Sequence, residues 1–194
     1  MKRIFELEPS ISVARNSSYL RSYPFLVSYF AERPELGEAD VVRGSHMVYG
    51  WMPTILDLDA VSVKGTSLPQ AASLLNEAKK RDLTHAELAA LKGVINNSIV
   101  GASKLLHFVA PDRYPIWDSR IYLYCNRRSG HAYQVNNIDA YLAYRSELQD
   151  LIDDERFFAF HASVNDKVGY PVSKMRAAEL MMFLAAVHFG TNPD

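Results

Sequence analysis

The sequence predicts an all-α protein. Helix-capping signals recur along the chain, as at Thr84 and Glu87, which stand three residues apart before an apolar segment. Apolar residues repeat at helical spacing, and no segment alternates as a convincing strand would. A chain of 194 residues with 48% apolar residues can bury a sizeable core. We expect a single helical domain over 1–194, built either as one body or as two lobes with the N- and C-terminal helices packed together.

The N-terminal part of the chain is predicted to contain one helix in two pieces and one ambiguous segment. Asn16 or Ser17 can cap the first piece. Pro24 is expected to divide the helix before 25–32, because proline has no N–H and clashes with the preceding turn. The segment 41–58 mixes β-branched residues with glycine and proline, so short helices and an irregular packed loop remain open alternatives.

Two capped helices are predicted next. Ser67 precedes Pro69 and starts a helix that runs to Arg81, with three cations near its negative C-terminus. Thr84 and Glu87 form a capping box for the following helix. The apolar face of that second helix comprises Leu88, Leu91 and Ile95.

Three further helices are predicted in the second half of the chain. Asp118 is placed to cap a helix over about 119–127, and Asn136 with Asn137 can start one over 139–151. Ser173 caps the last helix, which we expect to be nearly enclosed because it is apolar on several faces. Its most regular apolar repeat consists of Leu180, Phe183, Leu184 and Val187.

The most informative residue for function is Lys104, which lies in an apolar helix. Burying an ammonium costs several kcal/mol unless the charge is paired or neutralised. A buried amine that loses its proton easily is a candidate nucleophile. Asp118 follows fourteen positions later at a predicted helix N-cap, where backbone N–H groups favour an ionised carboxylate. A solvent-directed lysine and a purely structural cap are the alternative interpretations.

The connection between Lys104 and Asp118 is long enough for the two side chains to meet. A helix from Lys104 to Ala110 descends about 9 Å at 1.5 Å per residue. The return segment 111–117 can span up to roughly 23 Å when extended. Pro111 ends the helix and Pro115 favours an extended Tyr114, so the segment is predicted to run back beside the helix.

The segment Ser103–Arg120 reads Ser-Lys-x-Leu-His-Phe-x-x-Pro-x-x-Tyr-Pro-Ile-x-Asp-Ser-Arg. This pattern resembles the signature of a bacterial family related to the 8-oxoguanine DNA glycosylase fold, within the helix-hairpin-helix glycosylase superfamily. The segment from Tyr49 to Thr54 and the final helix add weaker similarity.

The resemblance implies two packed helical lobes with a cleft and a DNA glycosylase or glycosylase/AP-lyase activity on a damaged, oxidised base. It assigns the nucleophile to Lys104 and the assisting carboxylate to Asp118. The expected partner is double-stranded DNA carrying that base, and the activity requires no metal and no organic cofactor.

The hairpin before the Lys104 helix departs from the glycosylase pattern. Those enzymes present a Leu-Pro-Gly-x-Gly turn, whose backbone N–H groups approach a DNA phosphate. Here the segment 95–101 reads Ile-Asn-Asn-Ser-Ile-Val-Gly. Two alternatives therefore stand beside the glycosylase: a non-catalytic helical binding protein that keeps the fold, and an enzyme acting on a small nucleoside-type ligand.

Further candidate residues surround the two central ones. His107 shares a helix face with Lys104, and we assign it with Trp51 and Trp117 to substrate binding, since planar rings can sandwich a flipped base. Packing in the core is the alternative for all three.

DNA-phosphate contacts are predicted for arginines near Asp118, with plain surface charges as the alternative. These arginines are Arg120, Arg127 and Arg128.

Composition limits the remaining possibilities. The formal net charge of −1 means that any DNA affinity must come from a local basic patch. The single Cys125 excludes an internal disulfide and fits a reducing cytoplasm. No zinc-hydrolase, P-loop or dinucleotide motif occurs, and no signal peptide or membrane span is expected. We therefore expect a cytoplasmic protein with no metal.

Overall fold

The protein is described by a computed structural model that covers residues 1–51, 56, 58 and 65–189, with side chains as far as 186. The predicted all-α class is confirmed: these residues form helices and no strand, apart from an isolated antiparallel bridge between Leu58 and Ile95. Within the same residues no helix combines the length and the apolar character that a membrane crossing requires.

Eleven α-helices and one short 3-10 helix, Glu8–Ser10, follow one another along the described chain. The α-helices are α1 (Ile4–Leu7), α2 (Ser18–Ala31), α3 (Glu38–Trp51), α4 (Leu68–Lys80), α5 (His85–Val94), α6 (Ile99–Val109), α7 (Ser119–Asn126), α8 (Ala132–Val135), α9 (Ile138–Ile152), α10 (Phe157–Val168) and α11 (Lys174–Phe189).

The chain divides into two compact units. The central unit is Ser22–Tyr114, and the terminal unit combines Met1–Arg21 with Pro115–Asp194. The boundary after Arg21 falls inside α2.

The central unit is built around α6. This helix contacts α3, α4 and α5, and every residue of it except Val100 is buried. Two of its neighbours start with capping boxes. Thr84 accepts the Glu87 N–H at the start of α5, as predicted, and Ser67, predicted only as a helix start, accepts the Gln70 N–H at the start of α4. Of the segment 41–58, which the sequence left open between short helices and a loop, residues 41–51 belong to the continuous helix α3, and residues 52–55 and 57 lie outside the described residues.

The terminal unit is built around α11, which packs most extensively on α7 and also on α1, α9 and α10. Its enclosed positions are mainly small or flexible side chains, and Phe183 and Leu184, expected in the core, are only half-buried. The buried apolar set comprises Met175, Ala177, Ala178, Leu180, Met181, Met182, Ala185 and Ala186.

The expected division of the first helix at Pro24 is wrong, because α2 continues through this residue. Proline cannot donate the helical N–H that the Leu20 carbonyl would accept. The Tyr170 hydroxyl donates to that carbonyl instead, at 2.7 Å. A side chain distant in sequence therefore removes the main hydrogen-bonding penalty of a proline inside a helix.

Candidate functional site

A tight hairpin joins α5 to α6, the helix that carries Lys104. Asn96 and Asn97 both adopt left-handed backbone conformations, with φ of 52° and 47°. Asparagine tolerates this region better than most residues because its short polar side chain can bond locally. Ser98 then caps α6 by accepting the Gly101 N–H at 3.2 Å. The hairpin thus forms without the glycines and proline of the glycosylase pattern.

Lys104 lies in the middle of α6 and is 6% exposed. Its sequence neighbours Ser103 and Leu105 are completely buried. An ammonium in such surroundings is stable only with compensating polar groups. The role of Lys104 as a nucleophile stays a prediction.

His107 follows one turn after Lys104 and is completely buried. Its Nδ1 lies 2.7 Å from the Tyr114 carbonyl oxygen, and its Nε2 lies 2.9 Å from the Tyr23 hydroxyl. Because a carbonyl only accepts, Nδ1 carries the proton and Nε2 can accept from Tyr23. His107 therefore fixes the segment that leaves α6 toward Pro115.

Asp118 is the N-cap of α7, as predicted. One oxygen of its half-buried carboxylate accepts the N–H groups of Arg120 and Ile121, both at 3.0 Å. These two bonds and the positive end of the helix hold the carboxylate in place. The second carboxylate oxygen is not used by the cap.

The surroundings of Asp118 within the terminal unit are strongly charged. On α11, Arg176 and Glu179 form an ion pair in which both side chains are 2% exposed. Burial raises the pKa of Tyr19 to about 12, with a further contribution from the negative charges of Glu179 and Asp118. The charges of Glu179 and Asp118 therefore both act on the Tyr19 phenol.

A half-exposed aromatic pair adjoins this environment. Tyr19 stacks on Phe183 with ring centroids 6.5 Å apart and planes inclined by 15°. The Arg120 guanidinium lies 4.5 Å from the Phe183 ring centroid. Sequence reasoning placed Phe183 in the core and did not single out Tyr19.

The two tryptophans assigned to substrate binding are enclosed by other rings. Trp51, 9% exposed, meets Phe108 edge to face at 5.2 Å. Trp117, 1% exposed, donates its indole N–H to the Val135 carbonyl at 2.7 Å and packs 5.2 Å from Tyr144. Both rings have packing partners, and their contact with a base stays a prediction.

The three candidate phosphate-binding arginines are exposed. The Arg127 guanidinium lies 6.0 Å from the Tyr124 ring centroid, and Arg127 itself ends α7 in a left-handed conformation with φ of 58°. Arg128 follows directly. Of the segment Tyr49–Thr54 used for the resemblance, Met52, Pro53 and Thr54 lie outside the described residues.

The site residues are thus divided between the units: Lys104, His107 and Trp51 belong to the central unit, and Asp118 and Trp117 to the terminal unit. The pairing of Lys104 with Asp118 therefore stays a prediction. Among the described residues, no group of three or more His, Cys, Asp or Glu side chains is arranged to hold a metal ion. Comparisons of the chain with protein-family models, with curated proteins and with solved structures find no match.

Proposed function

We propose that this protein is a DNA glycosylase, or glycosylase/AP lyase, of the helix-hairpin-helix type that acts on an oxidised base. The observation that carries the proposal is the buried Lys104 on the helix that directly follows a tight helical hairpin. A helix-capping aspartate comes next along the chain, in the order that the resemblance requires.

The proposed chemistry uses Lys104 as the nucleophile. Its unprotonated amine attacks the anomeric carbon, the bond to the base breaks, and opening of the sugar leaves a Schiff base between the amine and the sugar carbon. Asp118 stabilises the positive charge that develops on the sugar. This role requires a carboxylate held in a fixed position, and the backbone N–H groups of Arg120 and Ile121 hold the Asp118 carboxylate at the start of α7.

DNA binding is the second part of the proposal. The left-handed Asn96 and Asn97 turn the backbone sharply before α6, which supports an anion-binding role for the hairpin in place of glycines. Arg120, Arg127 and Arg128 are exposed and supply cations for phosphates. The half-exposed rings of Tyr19 and Phe183 offer an apolar surface beside Asp118 for an extruded base.

Borohydride trapping tests the proposal. The reductant fixes the Schiff base, so the wild-type protein is expected to form a covalent adduct on duplex DNA that carries an abasic site or an oxidised base. Lys104→Gln removes the nucleophile at similar volume and should abolish the adduct. Lys80→Gln is the matched control, because Lys80 is 70% exposed and should trap normally when replaced. Equal trapping by Lys104→Gln and the wild type, or no DNA binding at low salt, would contradict the proposal.

Asp118→Asn separates the roles of cap and charge. Asparagine caps helices as well as aspartate does, so thermal unfolding should be little changed. Release of the base should become slower because the negative charge is lost. If Asp118→Asn releases the base at the wild-type rate, Asp118 acts only as a cap.

An enzyme or binding protein for a small nucleoside-type ligand is the second candidate. The net charge of −1 and a cavity in the terminal unit favour it. Failure of all trapping and of DNA binding, with binding of a free nucleoside, would make it the better assignment.

A further inference from the structure

A cavity of about 340 Å³ lies within the terminal unit, beside α7, α8 and α9. Small-molecule sites range from about 300 to 1,000 Å³, so this cavity suits a single ring system rather than a whole nucleotide. Its aromatic lining includes Trp117, Tyr122, Tyr133 and Tyr144. Neither Lys104 nor Asp118 is part of it.

The aromatic lining combines fixed and exposed rings. Trp117 packs against Tyr144 at 5.2 Å and against Tyr122 at 6.0 Å, and all three are nearly buried. Tyr122 is further fixed by close contact with the Gly130 backbone, where an added Cβ would lie 2.6 Å from the ring. Tyr133 is 72% exposed and stacks on His131, so its ring is accessible for stacking on a planar ligand.

Hydrogen bonds fix the orientation of the three amide side chains that line the cavity, Asn126, Gln134 and Asn137. The Gln134 oxygen accepts the His131 N–H at 2.9 Å, and the Asn137 oxygen accepts the Ala140 N–H at 3.0 Å. Each of these side chains therefore has its NH₂ group left for a ligand. Asn126 is the reverse: its NH₂ donates to the Tyr122 carbonyl at 3.0 Å, which leaves the amide oxygen as an acceptor.

The charge of the cavity restricts the ligand further. Glu147 is exposed, and no described cation forms an ion pair with it. The described lining contains no Lys, Arg or His side chain, and the α-amino group of Met1 is a single cation near Cys125, so the lining lacks the cluster of cations that favours a phosphate group. Burial raises the pKa of the Cys125 thiol to about 12, so the thiolate is disfavoured. Because the thiolate is the nucleophilic form, Cys125 is not expected to react with a bound ligand, and binding should be reversible.

We propose that this cavity binds an unphosphorylated 2-amino-4-oxopyrimidine ring, the edge that guanine and pterins share. Such a ring places an N–H and an NH₂ donor side by side for the Glu147 carboxylate, and its carbonyl oxygen accepts from Gln134 or Asn137. Asn126 accepts the second N–H of the 2-amino group, and Tyr133 stacks on the ring face. Adenine lacks the adjacent pair of donors and fits less well.

Titration calorimetry with guanosine, inosine, pterin and lumazine tests this assignment. Inosine and lumazine lack the 2-amino group of guanosine and pterin, respectively. At least one of guanosine and pterin should bind, and its partner without the amino group should bind about tenfold more weakly or worse, as expected for the loss of a hydrogen bond to a charged group. Whichever of guanosine and pterin binds more tightly indicates whether the ring of the natural ligand is a guanine or a pterin.

A pair of variants on α9 locates the binding. Glu147→Gln should weaken binding about tenfold or more, whereas Asp150→Asn makes the same charge change at an exposed position outside the cavity and should stay within about twofold of the wild type. No binding of guanosine or pterin at millimolar concentration, equal binding of the analogues that lack the amino group, or equal loss in both variants would overturn the assignment. Trapping through Lys104 is measured separately, so either hypothesis can fail alone.

Discussion

Replacement of Gly101 by alanine tests how closely α3 approaches α6, the helix that carries Lys104. A Cβ atom built at Gly101 lies well inside van der Waals contact with the Tyr49 hydroxyl, 3.0 Å from the adjoining Tyr49 ring carbon and 3.1 Å from Ile95 Cγ2. Tyr49 is 3% exposed, so its ring has little room to move. A hydrogen bond with Ser98, the N-cap of α6, also holds its hydroxyl.

The expected cost follows from three contributions. Alanine in place of glycine inside a helix gains about 1 kcal/mol. Overpacking of a buried contact costs about 1–3 kcal/mol, and loss of the Tyr49–Ser98 hydrogen bond costs about 1 kcal/mol. Gly101→Ala should therefore lower the free energy of unfolding by about 1–3 kcal/mol.

A double-mutant cycle shows whether Tyr49 is the cause. Tyr49→Phe removes the colliding hydroxyl and alone should cost about 1 kcal/mol through the lost hydrogen bond. In the double variant the loss of that bond is counted once, which accounts for about 1 kcal/mol, and most of the collision is relieved. The double variant should therefore be about 2–3 kcal/mol more stable than the sum of the single effects predicts. Chemical denaturation of the four proteins gives the required free energies.

Gly50→Ala is the control for this cycle. Gly50 also lies in a helix, α3, but nothing comes within 4 Å of the added Cβ. Stability should rise by up to about 1 kcal/mol. If Gly101→Ala is as stable as Gly50→Ala, or if the effects of Gly101→Ala and Tyr49→Phe simply add, the proposed close contact is wrong.

Two further predictions concern polar groups of the central unit. Lys79→Ala should lower the free energy of unfolding by about 1–2 kcal/mol, because Lys79 donates to the Phe30 and Arg33 carbonyls at the end of α2. The control Lys80→Ala should stay within about 0.5 kcal/mol of the wild type. Equal effects of the two variants in chemical denaturation would exclude this capping role. Hydrogen bonds from Arg81 lower the pKa of Glu87 from 4.5 to about 2, so the Glu87 carboxylate stabilises the fold above pH 4.5 and this stabilisation is lost as the pH falls from 4.5 toward 2. Glu87→Gln should be less stable than the wild type at pH 6 but not at pH 2, and a stability difference independent of pH would contradict the assignment.

The α5–α6 hairpin shows where a family pattern and the physical requirement differ. The pattern asks for glycines, because a tight turn needs residues with positive φ. Asn96 and Asn97 meet the same requirement, which the residue types allow but the glycine pattern does not state. A pattern that accepts asparagine as well as glycine at positions of positive φ would have predicted this turn from the sequence.

The helix α10 was missed although its buried residues are regularly spaced. Phe157, Phe160, Val164 and Val168 follow one another at intervals of three and four and are all buried. Its N-cap, Arg156, makes no side-chain cap bond, so the usual start signal is absent. The apolar face of α10, and not a cap, is therefore the sequence signal that specifies this helix.

The sequence by itself determined the features that depend on neighbours within a few residues. Asp118, Thr84 and Asn137 cap their helices as predicted, because a cap needs only the N–H groups two or three residues further along the chain. The all-α class follows from the same local rules together with helical periodicity.

Only the tertiary structure decided the features that depend on distant partners. Tyr170 satisfies the carbonyl that Pro24 leaves without a donor, and Lys79 caps α2 rather than its own helix. Trp117 becomes part of a cavity lining because α8 and α9 fold against it. Each of these contacts joins residues 18 to 150 positions apart, and the energy of a hydrogen bond or a packed ring depends on a partner that local spacing does not reveal.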